Sequence, residues 1–137
     1  MKTLLTIPLF LLSLISFPSW SETIDDLVKR DGIYYKKFSD APFNGEVEGR
    51  EQGKFKNGKR EGSWVKYYDN GQLWFKGDYK NGKEEGPWVA YWRNGQLSFK
   101  GDYKDGRKEG RWVWYDEIGN PWKELSGVFK DGVKISD

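Results

Sequence analysis

The chain has no cysteine and no histidine among its 137 residues. Without those side chains there is no His-based triad, no thiol nucleophile and no zinc site built from His or Cys. The absence of cysteine also removes the disulfides on which small exported domains often rely, and any lipid attachment at a processed N-terminal cysteine. Burial and backbone pairing must therefore hold the fold. Charge of one sign is missing too: 23 Lys and Arg stand against 21 Asp and Glu, and the two signs are interspersed. That balance points neither to nucleic acid nor, by itself, to an anionic membrane. Large aliphatic side chains are scarce beyond the first 21 residues.

What is there begins with a distinct N-terminal segment. Met1-Lys2 precedes an apolar run from Leu4 to Phe17 and then Pro18-Ser19-Trp20-Ser21. The run is shorter than the ~20 apolar residues a spanning helix needs. Ser19 and Ser21 are small residues placed for cleavage before Glu22. Residues 1–21 therefore read as a signal-peptide helix, with the mature chain periplasmic or secreted; an uncleaved N-terminal anchor is the lesser alternative. Cleavage would leave 116 residues, enough for one small domain. Of the 24 aromatic residues in the sequence only Phe10, Phe17 and Trp20 would be lost. With each aromatic burying ~150–250 Å², an aromatic layer can replace the missing aliphatic core.

The remainder repeats itself. GKFKNGKREGSWVKYYDNGQLWFK from Gly53, GDYKNGKEEGPWVAYWRNGQLSFK from Gly77 and GDYKDGRKEGRWVWYDEIGNPWKE from Gly101 share a 24-residue period, and a fourth copy starts at Gly127. Such a period marks an array whose shape and function belong to a repeated surface. Asn-Gly pairs alternate with short runs rich in Trp, Tyr, Val and Phe, the strongest short-range signal for β-hairpins. Asn70-Gly71 and Asn94-Gly95 are expected as the tight turns, with Gly119-Asn120 a degenerate version. Asn57-Gly58, Asn81-Gly82, Asp105-Gly106 and Asp131-Gly132 are expected to open longer, charged connections at the opposite ends. Alternation places Leu73, Phe75, Gly77 and Tyr79 on one side of a strand and Trp74, Lys76, Asp78 and Lys80 on the other.

The expected fold is all-β, an elongated single-layer antiparallel meander of repeated hairpins. Residues 22–52 form a lead-in and worn first repeat, 53–132 the array and 133–137 a frayed tail. Thr23 to Val28 has a capping-box start consistent with one or two helical turns. Ile33–Tyr35 and Pro42–Val47 read as two further strands, and Val128–Lys130 as the last. Gly53, Gly77 and Gly101 recur in mid-strand, which weakens a strand unless a neighbouring ring covers the bare backbone. Trp64, Trp88 and Trp112 share one repeat position and Tyr67, Tyr91 and Tyr115 another, so two ring ladders are expected to form the core.

The pattern G-x-W-x-x-Y, then N-G-Q-L, then F-K-G-D-Y-K-N-G-K resembles the bacterial variant of the MORN repeat, and the DGIYYKK and PFNGEV lead-in is similar as well. The resemblance spans residues 32 to 132. It implies a β-meander used as a binding or scaffolding surface, in a family many of whose members are described as antitoxin components of toxin–antitoxin pairs. An export signal departs from a cytoplasmic antitoxin. The string W-V-K-Y-Y-D-N-G-Q-L is also similar to the aromatic hairpins of choline-binding and cell-wall-binding repeats, although those units are shorter.

Carboxylates Glu61, Glu84, Glu85 and Glu109 recur with Lys and Arg at one loop, which reads as solvated connection chemistry rather than a glycosidase pair. The glycines at 58, 62, 82, 86, 106 and 110 precede no G-K-[ST], so they mark turns and not a phosphate loop. No catalytic residue, metal site or cofactor is expected. Trp74, Trp92, Trp114 and Trp122 stand where sister repeats are polar or variable. With Lys76, Lys100 and Lys104 they are the candidate interaction surface, on the face away from the Trp64 ladder. The leading expectation is a non-catalytic exported scaffold that binds another protein. Association with a phospholipid headgroup surface, and cell-wall, choline or glycan binding through aromatic cages, are the alternatives.

Overall fold

The computed structural model describes residues 21–137, so the proposed signal helix lies outside the described residues. Twelve strands follow in chain order: β1 (Glu22–Thr23), β2 (Leu27–Arg30), β3 (Ile33–Lys36), β4 (Gly45–Glu48), β5 (Glu51–Lys56), β6 (Lys59–Tyr67), β7 (Leu73–Lys80), β8 (Lys83–Tyr91), β9 (Leu97–Lys104), β10 (Arg107–Trp114), β11 (Gly127–Lys130) and β12 (Val133–Ser136). Ten of them make one open sheet in the order β1-β4-β5-β6-β7-β8-β9-β10-β11-β12, while β2 and β3 pair separately. From β4 to β12 each strand lies antiparallel to the next, as a meander of hairpins requires; β1 alone pairs parallel, with β4. The expected helical start is a single 3-10 turn over Ile24–Asp26, in which the Asp26 carboxylate accepts the N–H and hydroxyl of Thr23. Val133–Ser136, expected to fray, forms β12 against β11.

The tight turns lie at the other Asn-Gly pairs from those expected. Lys56 pairs with Lys59 across Asn57-Gly58, whose φ angles are 51° and 74°. Two central residues with positive φ define the two-residue turn that matches strand twist, and Asn-Gly accepts both. Asn81-Gly82, Asp105-Gly106 and Asp131-Gly132 repeat this geometry. The charged stretches after them are paired strand, not loop. At Asn70-Gly71 only Gly71 has positive φ, because the turn there runs over five residues, with Tyr68 N–H donating to Gln72 O at 2.8 Å. The Asn70 side chain shapes it by accepting the Gln72 N–H, a bond that Asn94 repeats with Gln96.

A single layer has little interior, and the rings supply what there is. Trp64, Trp88 and Trp112 are buried, and Tyr79 and Tyr103 fit edge-on between them. The resulting series Trp64, Tyr79, Trp88, Tyr103, Trp112 has centroid separations of 6.0, 5.1, 5.8 and 4.8 Å, the edge-to-face spacing that ring quadrupoles favour. Each tryptophan lies on a bare backbone: a Cβ at Gly53, Gly77 or Gly101 would sit 2.2, 2.2 or 2.3 Å from the ring of Trp64, Trp88 or Trp112. The expected covering of the mid-strand glycines is therefore present in all three copies. The second expected ladder is not core. Tyr67, Tyr91 and Tyr115 alternate with the buried tryptophans, fall on the opposite face and stay half-buried.

One end of the ring face is closed by the lead-in. Leu27, Phe43 and Val47 pack with Phe55 and Trp64, and Tyr34 meets Phe55 at 4.9 Å. The β2–β3 hairpin is fastened to the first tight turn, since Tyr34 N–H donates to Gly58 O and Gly58 N–H donates to Phe43 O. Beneath it the Glu51 carboxylate is buried against Arg60 and Lys66. The Arg60 guanidinium lies over Trp64 and Tyr79 and donates to the Tyr79 hydroxyl at 3.2 Å. Burial is the largest single influence and opposes the Arg60 charge, but Glu51 together with Tyr79 and Tyr34 outweighs it and holds the arginine pKa above its usual value.

Gly77→Val places its first side-chain carbon inside the Trp88 ring. It should destabilise the fold by about 2–3 kcal/mol, roughly 10 °C in melting temperature, whereas Lys80→Val should shift it little. Thermal denaturation of the two variants showing equal loss would break the ring-on-glycine account.

Candidate functional site

Register decides what each face displays. Lys66 pairs with Phe75 and Tyr67 with Leu73, which leaves Trp74 as an extra residue in a β-bulge; Ala90–Phe99 and Tyr91–Leu97 bracket Ser98 in the same way. A bulge shifts alternation by one. Leu73 and Leu97 therefore leave the side of Phe75 and Phe99, contrary to simple alternation, and Leu97 joins Val89 and Tyr91 on the opposite face. Trp74 turns to the ring face, where it stacks on Tyr68 at 5.0 Å and 15° and takes the Lys66 ammonium at 4.6 Å from its centroid.

The candidate tryptophans thus belong to the ring face and its rim, not to a second face. Trp114 packs against Phe99 at 4.4 Å and Trp112 at 6.4 Å, with its indole N–H buried and unpaired among the described residues. Trp92 donates its indole N–H to Tyr115 O at 3.0 Å, tying one five-residue turn to the next repeat. Tyr68 does the same in the preceding repeat, donating to Tyr91 O at 2.9 Å. Trp74 and Trp122 remain exposed. Trp122 shares a pocket of about 380 Å³ with Trp92, Asp116, Glu117 and Ile118.

Lys76 and Lys100 face the other way. Cross-strand pairing sets them in a row that reads Val65, Lys76, Val89, Lys100, Val113 from β6 to β10. From Lys76 to Val113 this row floors an open groove of about 830 Å³ whose lining includes Pro87, Tyr91, Leu97 and Arg111, with Asp78 and Asp102 beside the lysines. Lys104 sits at the turn end of β9, exposed. The structure therefore separates the seven candidates: four indoles on one side, Lys76 and Lys100 on the other. Sequence reasoning missed the valine–lysine row, whose signal was the recurrence of W-V at 64–65, 88–89 and 112–113 read together with cross-strand register.

The recurrent carboxylates serve the backbone. Glu61, Glu85 and Glu109 each accept the N–H of the next repeat's turn residue, Asn81, Asp105 and Asp131, at 2.8, 2.9 and 3.0 Å. The adjoining glycines add Gly82 N–H to Arg60 O, Gly106 N–H to Glu84 O and Gly132 N–H to Lys108 O. On the opposite edge Asn70 and Asn94 donate to Arg93 O and Glu117 O. Glu84 departs from the pattern. It occupies the position of Arg60 and Lys108 without an ammonium or guanidinium of its own. Lys108 lies 5.0, 5.0 and 4.9 Å from the rings of Trp112, Trp114 and Phe129, and burial lowers its pKa.

Trp114→Ala should cost about 2 kcal/mol, below the ~3–5 kcal/mol of a fully buried tryptophan because Trp114 is only half-buried. Trp122→Ala should leave the melting temperature nearly unchanged. Calorimetry in which both variants melt alike would overturn this division of the indoles.

Two stretches of the array, residues 60–81 and 84–105, match the MORN repeat variant family model. No curated protein matches the chain. Each matched stretch runs from the start of one long strand, through the Trp-bearing segment and five-residue turn, to the glycine-bearing strand and the residues opening the next tight turn. The match concerns the repeat unit and lends no support to an antitoxin role. With two stretches matched in register, and the ring-on-glycine packing present in each, residues 60–81 and 84–105 are repeats of the MORN-variant type.

Proposed function

We propose that the chain is a non-catalytic, exported scaffold that binds another protein through the valine–lysine face of its sheet. The observation that carries this reading is the groove of about 830 Å³ on a face that no other layer covers among the described residues, apolar along Val89, Leu97 and Val113 and charged at Lys76, Lys100 and Arg111, with Asp78 and Asp102 beside the lysines. A partner presenting apolar side chains flanked by charges of both signs, carboxylates opposite Lys76, Lys100 and Arg111, matches that surface, the apolar centre supplying burial and the charges register. The repeat architecture supports it, because an array presents one extended surface rather than a single centre. Export rests on the apolar run from Leu4 to Phe17 and the small residues before Glu22.

A photoreactive residue in place of Lys76, activated in the producing cell, should yield one discrete adduct identifiable by mass. The adduct should vanish in a Lys100→Glu/Arg111→Glu variant whose melting temperature is unchanged. A smear of adducts, or persistence in the charge-reversed variant, would sink the proposal, as would sedimentation with anionic vesicles in place of any protein adduct. Intact mass of the same protein should show a chain beginning at Glu22; retention of residues 1–21 would remove the cleavage step.

A further inference from the structure

Equivalent positions in the three blocks differ in a correlated way. Lys66, Ala90 and Trp114 correspond, as do Tyr68, Trp92 and Asp116, and Trp74, Ser98 and Trp122. In the first block the Trp74 ring is occupied: Tyr68 stacks on it and the Lys66 ammonium lies 4.6 Å from its centroid. In the third block the counterpart of Lys66 is Trp114 and the counterpart of Tyr68 is Asp116. Trp122 thus has neither the lysine nor the phenol that Trp74 has, and its indole is 44% exposed. Where the first block is filled by its own side chains, the third opens the pocket of about 380 Å³ lined by Trp92, Asp116, Glu117, Ile118 and Trp122.

That lining has the chemistry of a cation receptor. Two indoles line it, and an indole π-face attracts a cation through the ring quadrupole. Trp92 is held in place by its bond to Tyr115 O, so its ring is set before any ligand arrives. The Asp116 carboxylate accepts the N–H groups of Ile118 and Asn120 and the Asn120 side-chain amide, at 2.8 to 3.1 Å. Those bonds hold its pKa below the usual carboxylate value, so it stays anionic at neutral pH. Glu117 adds a second, exposed carboxylate. Because the Asp116 oxygens are already engaged by three donors, they offer charge rather than free directional acceptors. A quaternary ammonium has no N–H groups to satisfy and so suits Asp116; a primary ammonium would have to find its acceptors at Glu117.

We propose that this pocket binds a quaternary ammonium ion, sandwiched against Trp92 and Trp122 and neutralised by Asp116 and Glu117. The site is at the five-residue-turn edge of the ring face, away from the valine–lysine groove, and stands whether or not that groove binds a protein.

The full mature chain should be titrated with choline and with tetramethylammonium while the indole N–H resonances of Trp92 and Trp122 are followed by NMR. Both resonances should move and saturate. The neutral tert-butyl isostere of choline should bind about tenfold more weakly or worse, since it lacks the charge on which the interaction depends. Trp122→Ala should abolish saturation, and Glu117→Gln, at an exposed position that leaves the packing untouched, should weaken it about threefold. The absence of saturable binding by either cation, equal binding by the isostere, or full binding by both variants would overturn the proposal. Cosedimentation with phosphatidylcholine but not phosphatidylglycerol vesicles would support it with the cation carried on a lipid. Saturation by free choline without cosedimentation would support it with a soluble ligand.

Discussion

The seating of a tryptophan ring on the bare backbone of a mid-strand glycine is the contact on which the rest of this sheet depends. A single-layer meander has no second layer to bury its face against, so its apolar side chains must cover the sheet itself. Trp64, Trp88 and Trp112 do this by lying flat over Gly53, Gly77 and Gly101, where any Cβ would come within 2.3 Å of the ring. The glycine that would otherwise weaken the strand becomes the floor of a socket. Tyr79 and Tyr103 then fit edge-on between adjacent indoles, and a one-dimensional series of rings performs the work of a core. Trp88 and Trp112 add a directional component by donating their indole N–H to Asp78 O and Asp102 O, at 3.1 and 2.9 Å.

Ring stacking alone leaves both edges of the strand array open, and each edge is closed by its own hydrogen-bond series. At one edge the glutamates preceding Gly62, Gly86 and Gly110 take the turn N–H of the next repeat; at the other, Asn70 and Asn94 donate to backbone carbonyls 23 residues on. Each bond links neighbouring repeats, so stability is built from repeat-to-repeat interfaces. The lead-in differs because it must end the series. Trp64, unlike its sisters, has an indole N–H with no partner among the described residues, and the buried Glu51–Arg60–Lys66 cluster lies beside it. Arg60 faces Trp64 on one side and the cap residue Tyr34 on another, so the first socket is completed by the β2–β3 hairpin instead of by another repeat.

Much of this was legible because the repeat supplied its own alignment. The 24-residue period, the recurrence of Trp64 with Gly53 and the Asn-Gly pairs led directly to hairpins and to ring-covered glycines. What misled was parity. Strict alternation holds only while each residue has one cross-strand partner, and Trp74 and Ser98 have none in the ladder. One extra residue on the strand reverses the face of Leu73 and Leu97 and leaves Trp74 on the ring face, whereas Trp114 shares that face with Trp112 by plain alternation. The turns were misassigned for a related reason: Asn-Gly at 57–58 and at 70–71 are identical as dipeptides. The distinction lies in the Asn70 side chain, which bonds to Gln72 N–H and to the neighbouring turn. Glu61, Glu85 and Glu109 were recognised as connection residues, but their acceptance of a specific backbone N–H needed the geometry of the next repeat.

The same geometry separates positions that the fold fixes from positions it leaves free. Trp64, Trp88 and Trp112 are identical because each socket is identical. The neighbouring triad is not: Lys66, Tyr68 and Trp74 in one block become Ala90, Trp92 and Ser98 in the next and Trp114, Asp116 and Trp122 in the third. Their sizes compensate locally. Ala90 pairs with Phe75 and Phe99, whereas Trp114 spreads over Phe99 and Trp112. Charge is redistributed as well, from an internal ammonium over Trp74 to carboxylates beside Trp122. On the opposite face Val65, Val89 and Val113 alternate with Lys76 and Lys100 without such variation. A uniform face suits an extended partner spanning several repeats, while a rim that changes from block to block suits a ligand held at one of them. The array thereby carries two surfaces of different character on a sheet one residue thick.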